Sequence, residues 1–311
     1  MSRPAKALVA VLLLAFGGPE SMAEVDPFVT SVLGRTPPEA MLREIRHRYQ
    51  LLGGGSPLGA TTRAQGEALA ALLSELGRPW PVLVAMQHAR PTFQEAFAQL
   101  ADMNPSRLVA LSLAPYRSQA STTAYEQAVR RAAATAGSSI PIVFPQDWFG
   151  QPTYIQALAA RLTESLRQVA KRDRPGVAVV FSAHSIPQRF VAAGDPYPEQ
   201  LAKTVAAVLE MVPDITPHLA YQSVSQAATD PWIGPPVERV MAEIARAGGR
   251  AVVVDPIGFV SDHLETLYDN DIVHREEAKR LGLAFYRCPC LNLDPLFVRA
   301  LADVAIGAVA R

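Results

Sequence analysis

The amino-acid sequence predicts an α/β protein made of two similar doubly wound halves, each built on a parallel four-stranded sheet. Short apolar runs rich in β-branched residues alternate with longer amphipathic stretches over the 311 residues, which is the pattern of repeated strand–helix units. The apolar runs fall into an earlier and a later group of four, and Pro145, Gly150 and Pro152 interrupt the alternation between them. We therefore expect one half over residues 1–150 and the other over residues 151–311.

The first apolar run, Leu8–Phe16, fits two interpretations. Arg3 and Lys6 precede it and a small-residue stretch, Ser21–Ala23, follows it, as in a secretory signal peptide. The run also fits a buried parallel strand that ends in the Gly-Gly-Pro turn at 17–19. We favour the strand, because later segments repeat the pattern, and we accordingly expect a cytoplasmic protein. No stretch approaches the roughly 20 apolar residues of a membrane span, which leaves only peripheral membrane contact open.

The remaining elements follow the same two patterns. The other apolar runs predict strands at Val82–Gln87, Leu108–Ala114, Ile140–Phe144, Val177–Ser182, His218–Gln222, Ala251–Pro256 and Ala284–Arg287. The amphipathic stretches predict helices at Thr62–Leu76, Thr92–Ala101, Ala120–Ala136, Ile155–Lys171, Glu199–Met211, Pro236–Ala247 and Asp294–Val309. In such sheets ligands bind beyond the carboxyl ends of the strands, so the residues that follow each strand are the candidate site residues.

Composition excludes several functional classes. Lys+Arg and Asp+Glu both number 29, so the chain lacks the basic excess of a nucleic-acid-binding protein. A hydrophobic share of 49% with 19% charged residues excludes an intrinsically disordered chain. The two cysteines, Cys288 and Cys290, cannot form a disulfide scaffold, and they supply only half of the four ligands of an iron–sulfur cluster. We therefore expect no such cluster.

Motifs for nucleotide binding and ester hydrolysis are incomplete or missing. Gly53–Pro57, a Gly-Gly-Gly-Ser-Pro stretch, lacks the Gly-Lys-Ser/Thr ending of a phosphate-binding loop, and no predicted strand precedes it. No Gly-x-Gly-x-x-Gly follows the first strand, and no Gly-x-Ser-x-Gly elbow occurs. The sequence therefore disfavours a nicotinamide oxidoreductase and a serine hydrolase.

Candidate catalytic residues follow two strands of the second half. His184 comes directly after Val177–Ser182, and His263 and Glu265 come after Ala251–Pro256. Because the carboxyl ends of parallel strands share one edge of a sheet, these side chains are expected to meet in one cleft. Imidazole transfers protons near neutral pH and binds transition metals, and a carboxylate opposite it can hold a proton or a cation.

A second acidic residue extends this site. Glu265 and Asp269 are four residues apart, so on a helix they share one face. Like charges at that spacing cost free energy unless they hold a cation or share a proton. A solvated acidic face is the alternative, because further acidic residues such as Asp271 lie close by. Three histidines have no comparable position and are interpreted as structural: His47, His218 and His274.

Several ordered motifs together resemble one enzyme family. They are Phe16–Pro19, Arg48–Leu58, Leu113–Pro115, Ser182–Pro187, Gly194–Pro198, Tyr221–Ser223, Asp230–Pro235 and Gly258–Asp269. They resemble the ferrochelatases, which insert ferrous iron into a porphyrin, and the resemblance covers nearly the whole chain. It implies a chelatase-like fold in which two Rossmann-like halves face a central cleft that holds the ring. It also implies a lyase of haem biosynthesis.

The resemblance implies roles for individual residues. His184 and Glu265 match the catalytic and metal-binding pair, on opposite sides of the porphyrin, with Asp269 and His263 as candidates for a metal or proton path. His88 matches a less buried histidine near the domain surface. Six positions match or adjoin the porphyrin pocket: Phe16, Arg48, Tyr49, Ser56, Tyr125 and Trp232. The substrates implied are a porphyrin and ferrous iron, with no organic cofactor, no nucleic acid, and a monomer or homodimer as the assembly.

The sequence departs from the family pattern at several positions. Val273 replaces an acid one turn beyond Asp269, which shortens a row of carboxylates. Phe16 stands where one bacterial class has a tyrosine that ligates the product iron. That class also has an arginine within the stretch that is Thr30–Leu33 here, and Arg35 is the nearest substitute. Members with an iron–sulfur cluster carry four cysteines, whereas this chain has two.

Two other functions remain open from the sequence. A cobalt or sirohydrochlorin chelatase would share the fold, but such enzymes tend to use more than one histidine in place of a His–Glu pair, so Glu265 argues against it. A porphyrin- or haem-binding carrier would need an axial ligand but no second proton acceptor. The sequence does not distinguish coproporphyrin III from protoporphyrin IX as the ring.

Overall fold

The computed structural model describes residues 8–174, 177–224 and 230–310. Arg3 and Lys6, on which the signal-peptide interpretation depends, lie outside the described residues. The described chain is an α/β fold with two parallel four-stranded sheets, which confirms the predicted fold class. The strands are β1 (Val9–Ala15), β2 (Val82–Met86), β3 (Arg107–Ser112), β4 (Ile142–Val143), β5 (Val177–His184), β6 (Thr216–Gln222), β7 (Ala251–Asp255) and β8 (Ala284–Arg287).

Both sheets have the same strand order. The first runs β2-β1-β3-β4 and the second runs β6-β5-β7-β8, so the first strand of each half lies between the next two. All described neighbours are parallel. The carboxyl ends of the four strands therefore open on one edge of each sheet, and β1 and β5 end near its middle.

The apolar run at the start of the chain is a strand, as predicted, and it is buried on both faces. Val9, Val11 and Leu13 belong to the largest core cluster, which also contains residues of β5 and β7. Leu12 and Leu14 point the other way, into a smaller cluster formed with α4 and α5. Such two-sided burial accounts for the absence of polar alternation along the strand.

Helices cover both faces of each sheet. The α-helices are α1 (Val25–Leu33), α2 (Glu39–Leu51), α3 (Leu58–Glu75), α4 (Phe93–Met103), α5 (Thr122–Thr135), α6 (Pro152–Gln168), α7 (Gln188–Ala192), α8 (Tyr197–Met211), α9 (Val237–Arg246), α10 (Arg275–Arg280) and α11 (Pro295–Ala310). Met22–Glu24 is a 3₁₀ turn, and Glu265–His274 is a π-helix. All seven predicted helices are present within a few residues of their expected ends. The sequence did not predict α1, α2, α7, α10 or the π-helix.

The two halves share one core. Inner-face residues of both sheets pack with α3, α6, α8 and α11 in a single cluster. The last helix, α11, packs against α3 and β3 of the first half, so the chain returns to its starting half. A boundary near residue 150 therefore stays a prediction. Among the described residues, no helix has both the length and the apolar character needed to cross a membrane.

Candidate active site

The turn after β5 places His184 at the carboxyl edge of the second sheet. His184 is the last residue of the strand and pairs with Gln222 at the end of β6. Ser185 pins the turn, because its N–H donates to the Gln222 carbonyl at 2.9 Å and its Oγ donates to the Ile233 carbonyl at 2.6 Å. The imidazole lies 6.0 Å from the Trp232 ring, centroid to centroid. The strand thus delivers His184 beside an aromatic wall.

The loop after β7 brings Glu265 to the same edge. Gly258 donates its N–H to the Ser182 carbonyl at 3.0 Å, which draws the loop against β5. A Cβ at this position would lie 2.6 Å from the Ala183 Cβ, so only glycine permits the approach. Gln222 then fixes the start of the π-helix, since its Nε2 donates to the Glu265 carbonyl at 2.8 Å. Ser182 donates in turn to the Gln222 Oε1 at 2.8 Å.

Two imidazoles flank the Glu265 carboxylate. His184 Nε2 lies 3.3 Å from Oε1, and His263 Nε2 lies 3.4 Å from Oε2. A porphyrin does not fit between two side chains in direct contact, so the expected placement of His184 and Glu265 on opposite sides of the ring is wrong. His184 Nδ1 faces the backbone carbonyl of Ser185, and His263 Nδ1 lies 3.2 Å from the backbone carbonyl oxygen of Ser261. Carbonyl oxygens only accept, so each Nδ1 carries a proton and each Nε2 is the nitrogen that gains or loses one. His184 and Glu265 keep 34% and 35% of their side-chain surface, so a ligand in the cleft can reach them.

The pair is electrostatically coupled. Burial favours the neutral imidazole, but the Glu265 carboxylate and the Ser185 carbonyl outweigh it and raise the pKa of His184 to about 9. Burial likewise opposes charge on Glu265, yet His184 and His263 hold the pKa of that carboxyl well below its usual range. At neutral pH His184 therefore carries a proton on Nε2 beside a charged carboxylate.

The row of carboxylates ends at Asp269. Its Oδ2 accepts a hydrogen bond from Ser223 Oγ at 2.5 Å, and burial raises the pKa of Asp269 above its usual range. Val273 is partly exposed and supplies no polar atom. His274 is buried, with its Nδ1 2.9 Å from the Asn270 Oδ1 and its Nε2 3.5 Å from Glu238 on α9. This paired burial agrees with the structural interpretation of His274.

Two residues predicted for the porphyrin pocket adjoin the π-helix. Arg48 lies over the Tyr268 ring, with the guanidinium carbon 4.9 Å from the centroid, and pairs with Glu44 at 3.0 Å. Tyr49 is buried in the α1–α2 cluster, against which Leu264 packs. Burial and the Glu265 charge both raise the pKa of Tyr49. The unpredicted helix α2 thus forms part of the site's surroundings.

Phe16 and Ser56 lie near the end of β1. Phe16 is partly exposed. Its ring meets that of His88 at a tilt, with centroids 4.7 Å apart, and that of Phe28 edge to face at 6.1 Å. Ser56 is buried, and its N–H donates to the Pro19 carbonyl at 2.7 Å. A cavity of about 730 Å³ lies beside this group, lined by Gly18, Pro19, Glu20, Glu24, Pro27, Phe28, Arg63, His88, Ala89, Arg90, Pro91, Glu95 and Gln99.

Tyr125 is in a different environment. It is 4% exposed and belongs to the outer core cluster of β1, α4 and α5, where burial raises its pKa. The structure gives it no contact with the His184–Glu265 pair. Its role in the porphyrin pocket stays a prediction.

Sequence reasoning left three contributors without a role. Gln222 and Ser223 hold the π-helix through Glu265 and Asp269, and Phe259 lies 5.1 Å from His263 and 6.5 Å from His184, centroid to centroid. A signal for the first two was present, because they follow β6 directly, where the strand-end rule points.

The two cysteines are free and buried, and burial raises the pKa of both thiols. Within the described residues, no group of three or more His, Cys, Asp or Glu side chains is arranged to hold a metal ion. The expected absence of an iron–sulfur cluster stays a prediction.

Two solved structures have a similar fold. SirB from Bacillus subtilis with Fe³⁺ matches with a TM-score of 0.61 at 12% identity, covering 97% of this chain and 96% of that one. The sirohydrochlorin chelatase SirB from Bacillus subtilis subspecies spizizenii in complex with cobalt matches with a TM-score of 0.56 at 10% identity, with the same coverage. At these identities the likeness shows the chelatase-like fold alone.

Sequence comparison is more specific. The ferrochelatase family model matches residues 8–308. The ferrochelatases of Deinococcus radiodurans and Geotalea uraniireducens are 36% and 37% identical, covering 95% of this chain and 94% and 96% of theirs. The coproporphyrin III ferrochelatase of Anoxybacillus flavithermus is 33% identical, covering 97% of this chain and 96% of its own. The resemblance seen in the motifs is confirmed, and this chain belongs to the ferrochelatase family.

Proposed function

We propose that this protein is a ferrochelatase, a lyase that inserts ferrous iron into a porphyrin in haem biosynthesis and releases two pyrrole protons. The observation that carries the proposal is the Glu265 carboxylate flanked by His184 and His263 at 3.3 and 3.4 Å. Insertion needs ligands that hold Fe²⁺ only briefly and groups that accept two protons. Glu265 and His184 supply the ligands, and the two imidazoles supply the proton acceptors.

His184 and Glu265 are the catalytic and metal-binding residues in this proposal. The ferrous ion carries two positive charges, so its approach to Glu265 favours release of the His184 Nε2 proton to solvent. The neutral Nε2 can then accept a pyrrole proton. His263, on the other oxygen of Glu265, can hold a second one, and Asp269 offers the next acceptor along the π-helix.

The porphyrin would bind between the two halves. Trp232 and Phe259 flank His184 on one side, and Phe16 lies at the end of β1 on the other. Aromatic faces suit a flat apolar ring, and Arg48, Tyr49 and Ser56 offer polar groups for its carboxylates. The ring is coproporphyrin III or protoporphyrin IX, which differ by two propionates in place of two vinyl groups.

Anaerobic absorbance of each porphyrin with ferrous iron and a catalytic amount of protein tests the function. We expect multiple turnovers with at least one ring, and the faster ring identifies the substrate. A porphyrin- or haem-binding carrier would stop at one equivalent. A cobalt or sirohydrochlorin chelatase would leave both porphyrins unchanged and metallate sirohydrochlorin instead.

Cellular setting, cofactors and assembly are part of the same proposal. We place the protein in the cytoplasm, because β1 is the second strand of the first sheet and its loss as a leader would remove that strand. We expect no organic cofactor and no iron–sulfur cluster, so iron and sulfide analysis of purified protein should find no stoichiometric sulfide. We expect a monomer or a homodimer, and either could contact a membrane peripherally. We expect no nucleic-acid partner.

A further inference from the structure

A buried glutamine of the first half reaches the loop that carries His263. Gln65 lies on α3 and has no exposed surface. Its Nε2 donates to the Ser261 Oγ at 2.9 Å and to the Asn292 carbonyl oxygen at 2.7 Å. These partners follow it by 196 and 227 residues, so both hydrogen bonds cross from the first half to the second.

Ser261 transmits this contact toward the site. Its Oγ meets Gln65, while its carbonyl oxygen accepts from His263 Nδ1 at 3.2 Å. The other imidazole nitrogen lies 3.4 Å from Glu265. A shift of Ser261 would therefore rotate His263 and change its distance from the carboxylate.

Asn292 clamps the same loop from a second direction. Its backbone adopts a left-handed conformation, with φ of 49°, and its N–H donates to the Val260 carbonyl at 2.9 Å. Its side chain accepts from the Asp262 N–H at 2.9 Å and donates to the Asp262 Oδ2 at 2.8 Å. Because Gln65 bonds to both Ser261 and Asn292, its side-chain amide fixes the position of the loop that carries His263 relative to Asn292.

Stability alone does not account for glutamine here. Its neighbours on the same face of α3, Leu69 and Leu73, are fully buried in the shared core. The Gln65 Oε1 is buried and has no hydrogen-bond partner among the described residues. A buried amide that is only half satisfied costs free energy, whereas an apolar side chain of similar volume would avoid that cost.

We propose that Gln65 is a positioning residue for iron insertion. From the first half it fixes Ser261, and through Ser261 it holds the His263 imidazole against Glu265. The inference rests on the proposed function in that it takes these two side chains to act in the insertion step.

The test compares Gln65→Met with Thr62→Val. Methionine keeps the volume of glutamine but loses the donor. Thr62 is an equally buried residue of α3 whose hydroxyl donates, within the described part of the chain, to the Leu58 carbonyl of its own helix. We expect Gln65→Met to lower kcat about 10- to 100-fold, the scale of a small misplacement of catalytic groups. KM for porphyrin should stay within about twofold, and Thr62→Val should leave kcat unchanged at a similar loss of Tm.

Ser261→Ala provides a second route to the same answer and decides if Gln65→Met does not fold. It should lower kcat as Gln65→Met does, and the double variant should add little, because both remove one link. Equal kcat in Gln65→Met and Thr62→Val would overturn the proposal, as would a rise in KM at unchanged kcat, or full activity of Ser261→Ala.

A measurement without turnover separates this inference from the proposed function. In ¹⁵N-histidine spectra, Gln65→Met should move the side-chain resonances of His263 and leave those of His218, on β6, in place. Unmoved His263 resonances would overturn the inference even in an active enzyme. Moved resonances in a protein that inserts no iron would support the positioning and overturn the function instead.

Discussion

Glu265 draws its properties from its neighbours rather than from its own burial. Burial alone would favour a neutral carboxyl, but two imidazoles with carbonyl-anchored Nδ1 atoms keep it ionised. The contact between His184 and Glu265 also keeps a proton on His184 at neutral pH. The Glu265 carboxylate holds the His184 proton by its negative charge. An incoming cation offsets that charge and therefore favours loss of the proton.

Removing either member of the pair should disable insertion. We expect His184→Ala and Glu265→Gln each to lower kcat at least ~10²-fold, the usual scale for losing positioned acid–base help. Porphyrin affinity, measured by fluorescence quenching, should change little, because the proposed ring contacts are with aromatic side chains other than these two residues. Near wild-type turnover by His184→Ala would contradict the proposed mechanism.

The coupling also predicts a pH profile. The pKa of His184 is raised to about 9, so its neutral, proton-accepting form gains population as pH rises toward that value. The value of kcat/KM should therefore increase between neutral pH and about 9 in anaerobic assays. Glu265→Gln removes the charge that holds the proton on His184 and so lowers the pKa of His184. The rise of kcat/KM with pH should therefore begin at a lower pH in this variant than in the unmodified protein. A profile that is flat, or unmoved in the variant, would count against the coupling.

Asp269 should matter less than Glu265. Its described hydrogen bond comes from Ser223, and an asparagine oxygen can accept the same bond. With Val273 beyond it, no carboxylate continues the row. We expect Asp269→Asn to reduce kcat less than about tenfold, below the scale of losing a direct acid–base group. A loss equal to that of Glu265→Gln would show that protons leave through Asp269.

At the scale of elements, the sequence predicted what hydrophobic patterning dictates. Strands buried on both faces, such as β1, have continuous apolar sequences and are therefore recognisable. The predicted ends of β8 are the observed ones. Helices α1 and α2 were missed because they pack in a small cluster of their own, away from the main core. The π-helix was missed because a Glu–Asp spacing of four residues suits an ordinary helix equally well.

The site was predictable to the same extent as the strands. His184 and Glu265 follow strand ends, and Asp269 follows one turn later, so sequence position alone brings them together. The partners that orient them were not predictable, because Ser185 and Ser261 act through backbone carbonyls that carry no side-chain signature. Tyr125 shows the converse, since a matching position does not reveal that the side chain is buried in the outer core.

Strand β1 should be costly to disturb. Leu13 is fully buried in the core that both sheets share. We expect Leu13→Ala to lower the free energy of unfolding by about 2–5 kcal/mol, the range for a large-to-small change in a core. Leu51→Ala removes the same atoms from a residue that is 51% exposed. It should lower the free energy of unfolding by less than about 0.5 kcal/mol. Urea titrations of both variants make the comparison, and equal costs would place β1 outside the cooperative core.

For the whole molecule, buried polar links supplement the common core. Asp195, in the second half, accepts from the Ser118 Oγ at 3.0 Å and from the Gln119 N–H at 2.7 Å. Tyr116 donates to the Ile257 carbonyl at 2.9 Å. These bonds tie the loop after β3 to the α7–α8 connection and to the loop after β7, so they join the two halves beyond the common core.

One buried acid should make global stability depend on pH. Among the described residues, the Oδ2 of Asp255, at the end of β7, has no hydrogen-bond partner. Burial raises the pKa of Asp255 to about 7 and outweighs the Cys288 thiol, which lowers it. A folded-state pKa above the unfolded one stabilises the fold at low pH, and this contribution is lost as pH rises through about 7. Relative to Asp255→Asn, the free energy of unfolding should fall by roughly 4 kcal/mol from about pH 4 to about pH 8. A difference between the two proteins that is constant with pH would contradict this.

The repeated strand order has a consequence for the symmetry of the cleft. Mapping β2-β1-β3-β4 onto β6-β5-β7-β8 superposes β1 on β5, so Phe16, which follows β1, and His184, which ends β5, occupy neighbouring positions in equivalent turns. Two identical half-length subunits paired in the same way would present the same turn on both sides of the cleft. This chain instead has a phenyl ring in one turn and an imidazole in the other, so the repeated topology supports an asymmetric site.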